Sequence, residues 1–536
     1  MKVLLPVGER REEIMKRRIL CLALAVFMLA GCFVACDGSG DDVPDGGDKN
    51  GDWANLDFGG ATLSVCVSKH QDEEVSFRPG DVYTKGPDDT ATSESIAKKV
   101  LARNKKVATD LDINLKYTAV DLWYHEIAGH LEQLLTGDGS DAPDVYHNDI
   151  YALCQGMLNG YFWNVSDPGK DAKGRDVKSY FEFDNECWYQ DYMEGATYDK
   201  NKMYLLAGNY NLDIIRYAWV YFVNTQLWDA TFTDSIYGTY EEMCEYVHET
   251  KEWFYDDVIF LAGEALRDGT EGSKDVAEKT DNQIGCVMNG NMFSMSILSS
   301  GESLFKWTKN GKDSKPGEGT PSMIRQDEID GLVAVGNKIT QVYNAKGVLV
   351  KGMGANDHIN TFMEGKTVLA QVQLGEMESE RMRETMTGRR GVLPFPRYSD
   401  EVGIMTMVHD QAEVDCILNN ASSFEMASAF LQYVNEQSRD ILDTYYEDVL
   451  KFKYNNSRGV RKMIDIVYDT ISSPFELVSW YILFGRVGGD VKGIWNYFEE
   501  DAEAGRDSTF SSTYESIRGP LQNTLTEVFN KFESLE

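Results

Sequence analysis

Residues 93–149 read SESIAKKVLARNKKVATDLDINLKYTAVDLWYHEIAGHLEQLLTGDGSDAPDVYHND. Ile96, Val100, Val107 and Leu111 recur at helical spacing, so Ser93 to Asp110 predicts a helix. Ile113-Asn114-Leu115-Lys116-Tyr117 predicts a strand. A second helix follows over His125 to Leu135, stopped by Gly137. Pro143-Asp144-Val145-Tyr146 predicts a strand that ends at His147-Asn148-Asp149. Upstream, Ala61-Thr62-Leu63-Ser64-Val65-Cys66-Val67 is rich in β-branched residues and predicts the first strand. This β-α-β-α-β order implies a parallel sheet covered by helices. Ligands of such sheets sit beyond the strand carboxyl ends, which makes His147, Asn148 and Asp149 binding candidates.

Further along, Met203 to Ala207 and Tyr217 to Asn224 predict a strand pair flanking Gly208-Asn209-Tyr210-Asn211-Leu212-Asp213. Thr239 to Phe254 predicts a helix, and Val368 to Gln373 a strand after the turn at Gly365. The last third is helical. Ser423 to Asn435, Ser438 to Leu450, Ser457 to Thr470 and Pro520 to Phe532 each carry apolar residues on one face. A chain of 536 residues exceeds what one core usually holds, so two lobes are expected. Its formal net charge of −35 repels phosphate backbones and argues against nucleic acid as a partner.

The first residues describe export. Lys16-Arg17-Arg18 precedes an uncharged apolar run that reaches Leu29-Ala30-Gly31-Cys32. That tetrapeptide resembles a bacterial lipobox, which makes Cys32 the expected lipidated residue, with Cys36 the alternative. Met15 competes with Met1 as the start. Residues 37–52 read DGSGDDVPDGGDKNGD, a composition that cannot bury apolar surface and predicts an acidic tether. The remaining cysteines are irregularly spaced without a CxxC pair, so buried free thiols are expected rather than a disulfide framework.

Catalytic and metal motifs nearly form and then fail. His125 and His130 are five apart instead of four, which turns the second about 140° off the face a zinc site needs. Glu364-Gly365-Lys366-Thr367 lacks the earlier glycine of a phosphate loop, because Asn360 stands there. No Gly-x-Ser-x-Gly elbow occurs. No catalytic residue, metal or cofactor is therefore assigned.

Several stretches together resemble the sugar-type (family 1-like) extracellular solute-binding lipoproteins of bacterial ABC importers. They are Asp57-Phe58-Gly59-Gly60, Ala102-Arg103-Asn104, Asp144-Val145-Tyr146, and Leu158-Asn159-Gly160-Tyr161-Phe162-Trp163. Val223-Asn224-Thr225-Gln226-Leu227 follows the family pattern with Thr225 in place of a lysine. Phe362-Met363-Glu364-Gly365-Lys366 and Gly391-Val392-Leu393-Pro394-Phe395-Pro396 complete the likeness, which spans roughly residues 57 to 470.

The resemblance implies an α/β, two-lobe periplasmic-binding-protein-like (type II) fold, with inter-lobe hinge strands and a helical C-terminal part. Crossings are expected near Gly208 to Asp213, near Asn356 to Thr361 and after Pro396. The expected layout is a signal and lipidated Cys over 1–36 and a tether over 37–53. Lobe I takes 54–208 plus about 360–405, and lobe II takes 209–359 plus about 406–536.

A solute, a carbohydrate or oligosaccharide, would bind between the lobes and be passed to permease subunits. The receptor is expected to be a monomer, held at the outer face of the cell membrane by lipid alone, or in the periplasm of a Gram-negative cell. Sugar sites combine aromatic faces with groups that bond hydroxyls. The candidates are His147, Asn148, Asp149, Asn209, Tyr210, Asn211, Asn289, Asn291, Phe293 and Trp480. Trp163, Trp219 and Trp253 are assigned to the core. The competing reading is a surface lipoprotein glycoside hydrolase using paired carboxylates.

Overall fold

A computed structural model of the chain describes residues 53, 56–69, 81–83, 94–137, 142–170, 174–267, 283–351, 357–386, 390–453, 457–474, 476–479 and 493–535. The signal run, Cys32, Cys36 and the tether lie outside the described residues, as does Trp480. No helix among the described residues is long and apolar enough to cross a membrane.

Two sheets organise the molecule. The first is built from β1 (Ala61–Ser68), β2 (Ile113–Val120), β3 (Val145–Asp149) and β12 (Glu413–Ile417), in the order β12-β3-β1-β2. The first three strands are parallel and β12 runs against β3. The second sheet contains β4 (Trp219–Asn224), β5 (Ile284–Asn289), β9 (Val348–Lys351), β10 (Thr367–Gln373) and β11 (Arg390–Pro394), in the order β11-β4-β10-β5-β9. Here β10, β5 and β9 are mutually parallel, and β4 runs against both β10 and β11. A small antiparallel sheet of β6 (Phe305–Lys309), β7 (Lys312–Ser314) and β8 (Thr320–Met323) stands beside them.

The principal helices follow from apolar periodicity and clear stop signals. In the first lobe, α1 (Glu94–Asp110) connects β1 to β2, and α2 (Tyr124–Thr136) connects β2 to β3 and ends at Gly137. The short α3 (Asp213–Arg216) lies between the lobes. The second lobe carries α4 (Tyr240–Thr250), opened by a capping box in which Thr239 and Glu242 satisfy each other's backbone amides. Lys251, in the left-handed conformation, ends it. Late in the chain come α5 (Phe424–Glu436), α6 (Arg458–Asp469) and α7 (Phe510–Glu533). The segment expected as one helix over Ser438 to Leu450 is instead a short helix, Arg439–Asp443, continued by a π-helical stretch, Thr444–Lys453.

The expected lobe boundaries need correction. Strands β10 and β11, inside the 360–405 segment assigned to lobe I, hydrogen-bond to β4 of the second sheet. Strand β12, inside the 406–536 segment assigned to lobe II, hydrogen-bonds to β3 of the first. Turn motifs mark where the chain bends, whereas lobe membership is decided by strand partners far away in sequence.

Two antiparallel segments carry the chain between the lobes. Leu206 and Asp415 exchange backbone hydrogen bonds, each 2.8 Å. Farther along, Trp219 N–H donates to the Met407 carbonyl at 2.8 Å, and His409 N–H to that of Tyr217 at 3.0 Å. The outgoing crossing thus includes the expected 208–213 segment, and the return lies between Val408 and Glu413, after Pro396. The helix Asp357–Met363 is not a crossing, because it packs on β10 and β5 within the second lobe.

The final helix adds a further link. Tyr514 and Arg518 donate to the Ile324 carbonyl of the second lobe, both at 2.7 Å. At its other end Phe532 meets the rings of Tyr198 and Tyr204, and Lys531 reaches Asn159 at 3.1 Å. A helix of 24 residues is about 36 Å long, enough to span both lobes.

Candidate functional site

Strand register places the carboxyl edges of both sheets against the crossings. Asp149, which ends β3, pairs with Glu413, the first residue of β12 after the return crossing. Gln373, which ends β10, pairs with Trp219, the first residue of β4 after the outgoing crossing. Ser68, Val120 and Asp149 therefore share one edge with the crossings, and Asn289, Lys351 and Gln373 share the other. This is the edge at which sheets of this kind present ligand sites.

At the first edge lies a buried ionic cluster. His147 Nδ1 is 2.9 Å from Asp415 Oδ1, and its Nε2 is 2.9 Å from Glu413 Oε2. Ser68 Oγ donates to the other Glu413 oxygen. Each ring nitrogen faces a carboxylate oxygen, an arrangement that favours the doubly protonated ring. Burial works against that charge, but Asp415 and Glu413 outweigh it and raise the His147 pKa well above its usual value.

The Tyr210 ring stands edge-on to His147 and accepts the Arg103 guanidinium over its face at 4.8 Å. Arg103 also donates to the carbonyls of Tyr210, Asp81 and Val82 and to Ser438 Oγ. Tyr210 and Tyr117 join their hydroxyls at 2.8 Å, and Tyr117 stacks on Tyr83 at 4.7 Å.

A second cluster sits between the lobes. Arg216 Nε donates to Glu378 Oε1 at 3.0 Å, and its Nη1 lies 3.2 Å from Asp81 Oδ1. Tyr445 places its ring 5.0 Å from the guanidinium and its hydroxyl 2.6 Å from the same Glu378 oxygen. Burial alone would lower the Arg216 pKa; Glu378 first, then Asp81, raises it well above normal.

The structure sorts the sequence candidates. His147, Asn148 and Asp149 are buried inside β3 and are not loop polarity at its end. His147 is spent on Glu413 and Asp415, so it is corrected from ligand contact to core cation. Tyr210 is 1% exposed with its hydroxyl bonded to Tyr117, and it is likewise corrected to a packing role. Asn211 ties the crossings together by donating to the Glu413 carbonyl at 3.0 Å. Phe293 is buried against Tyr343 in the second lobe and offers no face to a ligand. The corrections share one cause: residue type and loop position do not fix which way a side chain points once distant segments pack.

Asn148, Asp149 and Asn209 stay at the first edge and crossing, and Asn289 and Asn291 at the second. Asn289 Oδ1 there accepts from Asn291 N–H at 2.6 Å and shapes the turn into the helix Met292–Leu298. Trp219 and Trp253 are core residues, and Trp163 packs half-buried on Phe424.

Sequence reasoning passed over Trp123, Arg216, Glu376, Glu378, Glu413 and Asp415. Trp123 follows the carboxyl end of β2 and is 71% exposed, next to the Lys69–Asp121 ion pair of 2.8 Å that joins the ends of β1 and β2. The available signals were a tryptophan in a strand-to-helix loop and charges set within the apolar runs around Arg216 and Asp415. The carboxylates are largely committed: Glu413 and Asp415 to His147, and Glu378 to Arg216.

No family model and no curated relative matches the chain. Solved structures do. The galacto-N-biose-/lacto-N-biose I-binding protein of the ABC transporter from Bifidobacterium longum is 13% identical, with a TM-score of 0.52 over 89% of this chain and 98% of that one. The cyclic alpha-maltosyl-1,6-maltose binding protein from Arthrobacter globiformis is 11% identical, with a TM-score of 0.52 over 88% of this chain and 99% of that one. The chain therefore has the two-lobe fold of ABC-transporter substrate-binding proteins.

Proposed function

We propose that the protein is an extracellular or periplasmic solute receptor that grips a carbohydrate or oligosaccharide between its lobes and delivers it to the permease subunits of an ABC importer. It acts as a monomer, outside the membrane, on a lipid attached to Cys32 or, failing that, Cys36. The observation that carries the reading is the meeting of two carboxyl edges at the crossings, with the exposed Trp123 indole on one lip. An indole face suits the C–H surface of a sugar ring, and Asp149 on one edge with Asn289 and Asn291 on the other are the polar groups placed to meet its hydroxyls. Ligand contacts made by both lobes favour the closed state, and only that difference in affinity drives closure.

The fold neighbours are described as sugar-binding proteins, which supports capture over catalysis. Calorimetric titration against a panel of oligosaccharides tests the reading. A binder with a negative heat-capacity change supports it, and a panel without one counts against the carbohydrate assignment. Incorporation of a labelled fatty acid, lost in C32S and kept in C36S, tests the anchor.

A further inference from the structure

The receptor reading leaves open what the second lobe contributes, and the segment after β10 addresses it. Strand β10 passes directly into a 3-10 turn, Leu374–Glu378, pinned to the outgoing crossing where Leu374 N–H donates to the Ala218 carbonyl at 2.8 Å. The two glutamates of this turn are used differently. Glu378 accepts from Arg216 and Tyr445. Glu376 is only 8% exposed, yet its carboxylate has no hydrogen bond or ion pair among the described residues. Its oxygens are not among the buried atoms left without a partner, so they reach the surface and can accept from a ligand. Burial, and then the Glu378 charge, push its pKa up to about 7.

Around the turn, the titratable groups among the described residues include Glu378 itself, Arg216 and Asp213 of α3, Asp81 of the first lobe, Tyr445 of the 444–453 segment, and Arg390 of β11. Arg390 donates to the Met377 carbonyl at 3.3 Å. Arg216 lies against Asp81, Asp213 and Glu378. Glu376 thus stands at the edge where a ligand would lie, with its acceptor capacity unused by any described residue.

Resting on the receptor reading, the geometry points to Glu376 as the second lobe's ligand-contacting carboxylate, one that accepts from two adjacent hydroxyls of the bound carbohydrate. A carboxylate has two oxygens and about four lone-pair positions, which match a vicinal diol. Donation by the diol favours the ionised carboxylate, so binding below neutral pH releases a proton. Affinity then rises with pH and levels off above the pKa, a gain of roughly ten-fold between pH 6 and pH 7.5.

The test uses the full chain and the tightest-binding oligosaccharide of the panel, titrated at pH 6 in two buffers of different ionisation heat. Wild type is expected to release up to about one proton per ligand. E376Q is expected to bind more weakly, release none and lose the pH dependence. Its melting temperature without sugar should be unchanged or higher, because a neutral amide replaces an unpaired carboxylate. A binder that shows no proton release, or an E376Q protein that keeps wild-type affinity or proton release, overturns this contact and leaves the receptor reading standing. A lower melting temperature for E376Q without sugar also overturns it, since that marks a structural partner. Failure of every panel member to bind wild type overturns the receptor reading and this contact together.

Discussion

Arg216 of the outgoing crossing and Glu378 of the second lobe meet at 3.0 Å in a nearly dry setting, with Asp81 of the first lobe on the guanidinium's other side. One cation thereby joins both lobes and the strand between them. Removing one member of a buried pair leaves its partners charged and unmatched. R216M should lose about 3–5 kcal/mol of stability. A urea titration checks this, and R216K should fall between the two because it keeps the charge without the fork geometry.

The His147 cation gives the first lobe a pH dependence with a definite sign. Its folded pKa is raised above the unfolded value by Asp415 and Glu413, against the opposing effect of burial. The stabilisation is therefore complete below about pH 6.5, the unfolded value, and is lost as pH rises through the folded pKa. Urea midpoints measured from pH 6 to pH 9.5 should fall for wild type and stay flatter for H147Q. A midpoint that rises with pH in this range would contradict the cluster.

Trp123 separates binding from folding. Its ring is mostly exposed, so W123A should leave the melting temperature within a degree or two. Loss of a stacking face should weaken carbohydrate binding roughly ten-fold, about 1.4 kcal/mol. Calorimetry on both proteins tests this; equal affinities would remove the indole from the site.

Phe532 anchors the last helix to the first lobe. Truncating it to alanine empties a buried space beside Tyr198 and Tyr204 and should cost about 3–5 kcal/mol. Loss of the long helix's first-lobe contacts should also appear as faster hydrogen exchange near residues 198–204.

The six described cysteines, Cys66, Cys154, Cys187, Cys244, Cys286 and Cys416, are free and buried. Burial pushes the Cys66 thiol up to about 11 and those of Cys154 and Cys187 up to about 12. In a chain with Cys21, Cys32 and Cys36 replaced by serine, a thiol reagent at pH 8 should react negligibly until denaturant is added, then with all six.

Period and punctuation alone determined the β-α-β-α-β opening, the strand at Val368 to Gln373 and most of the late helices. Those signals act over a few residues, and Gly137 or Thr239 with Glu242 end or start a helix wherever the chain folds. The outgoing crossing was legible in the same way, since Gly208 to Asp213 interrupts two apolar runs. Only tertiary structure decided which sheet each later strand joins, because Glu413 meets Asp149 and Leu369 meets Val223 across more than a hundred residues of chain. It alone showed that His147 faces two carboxylates, that Tyr210 is packed away, and that Glu378 has two partners while Glu376 has none among the described residues. Polarity is written in the sequence, but the direction of a side chain and the charge opposite it arise only when distant segments are brought into contact.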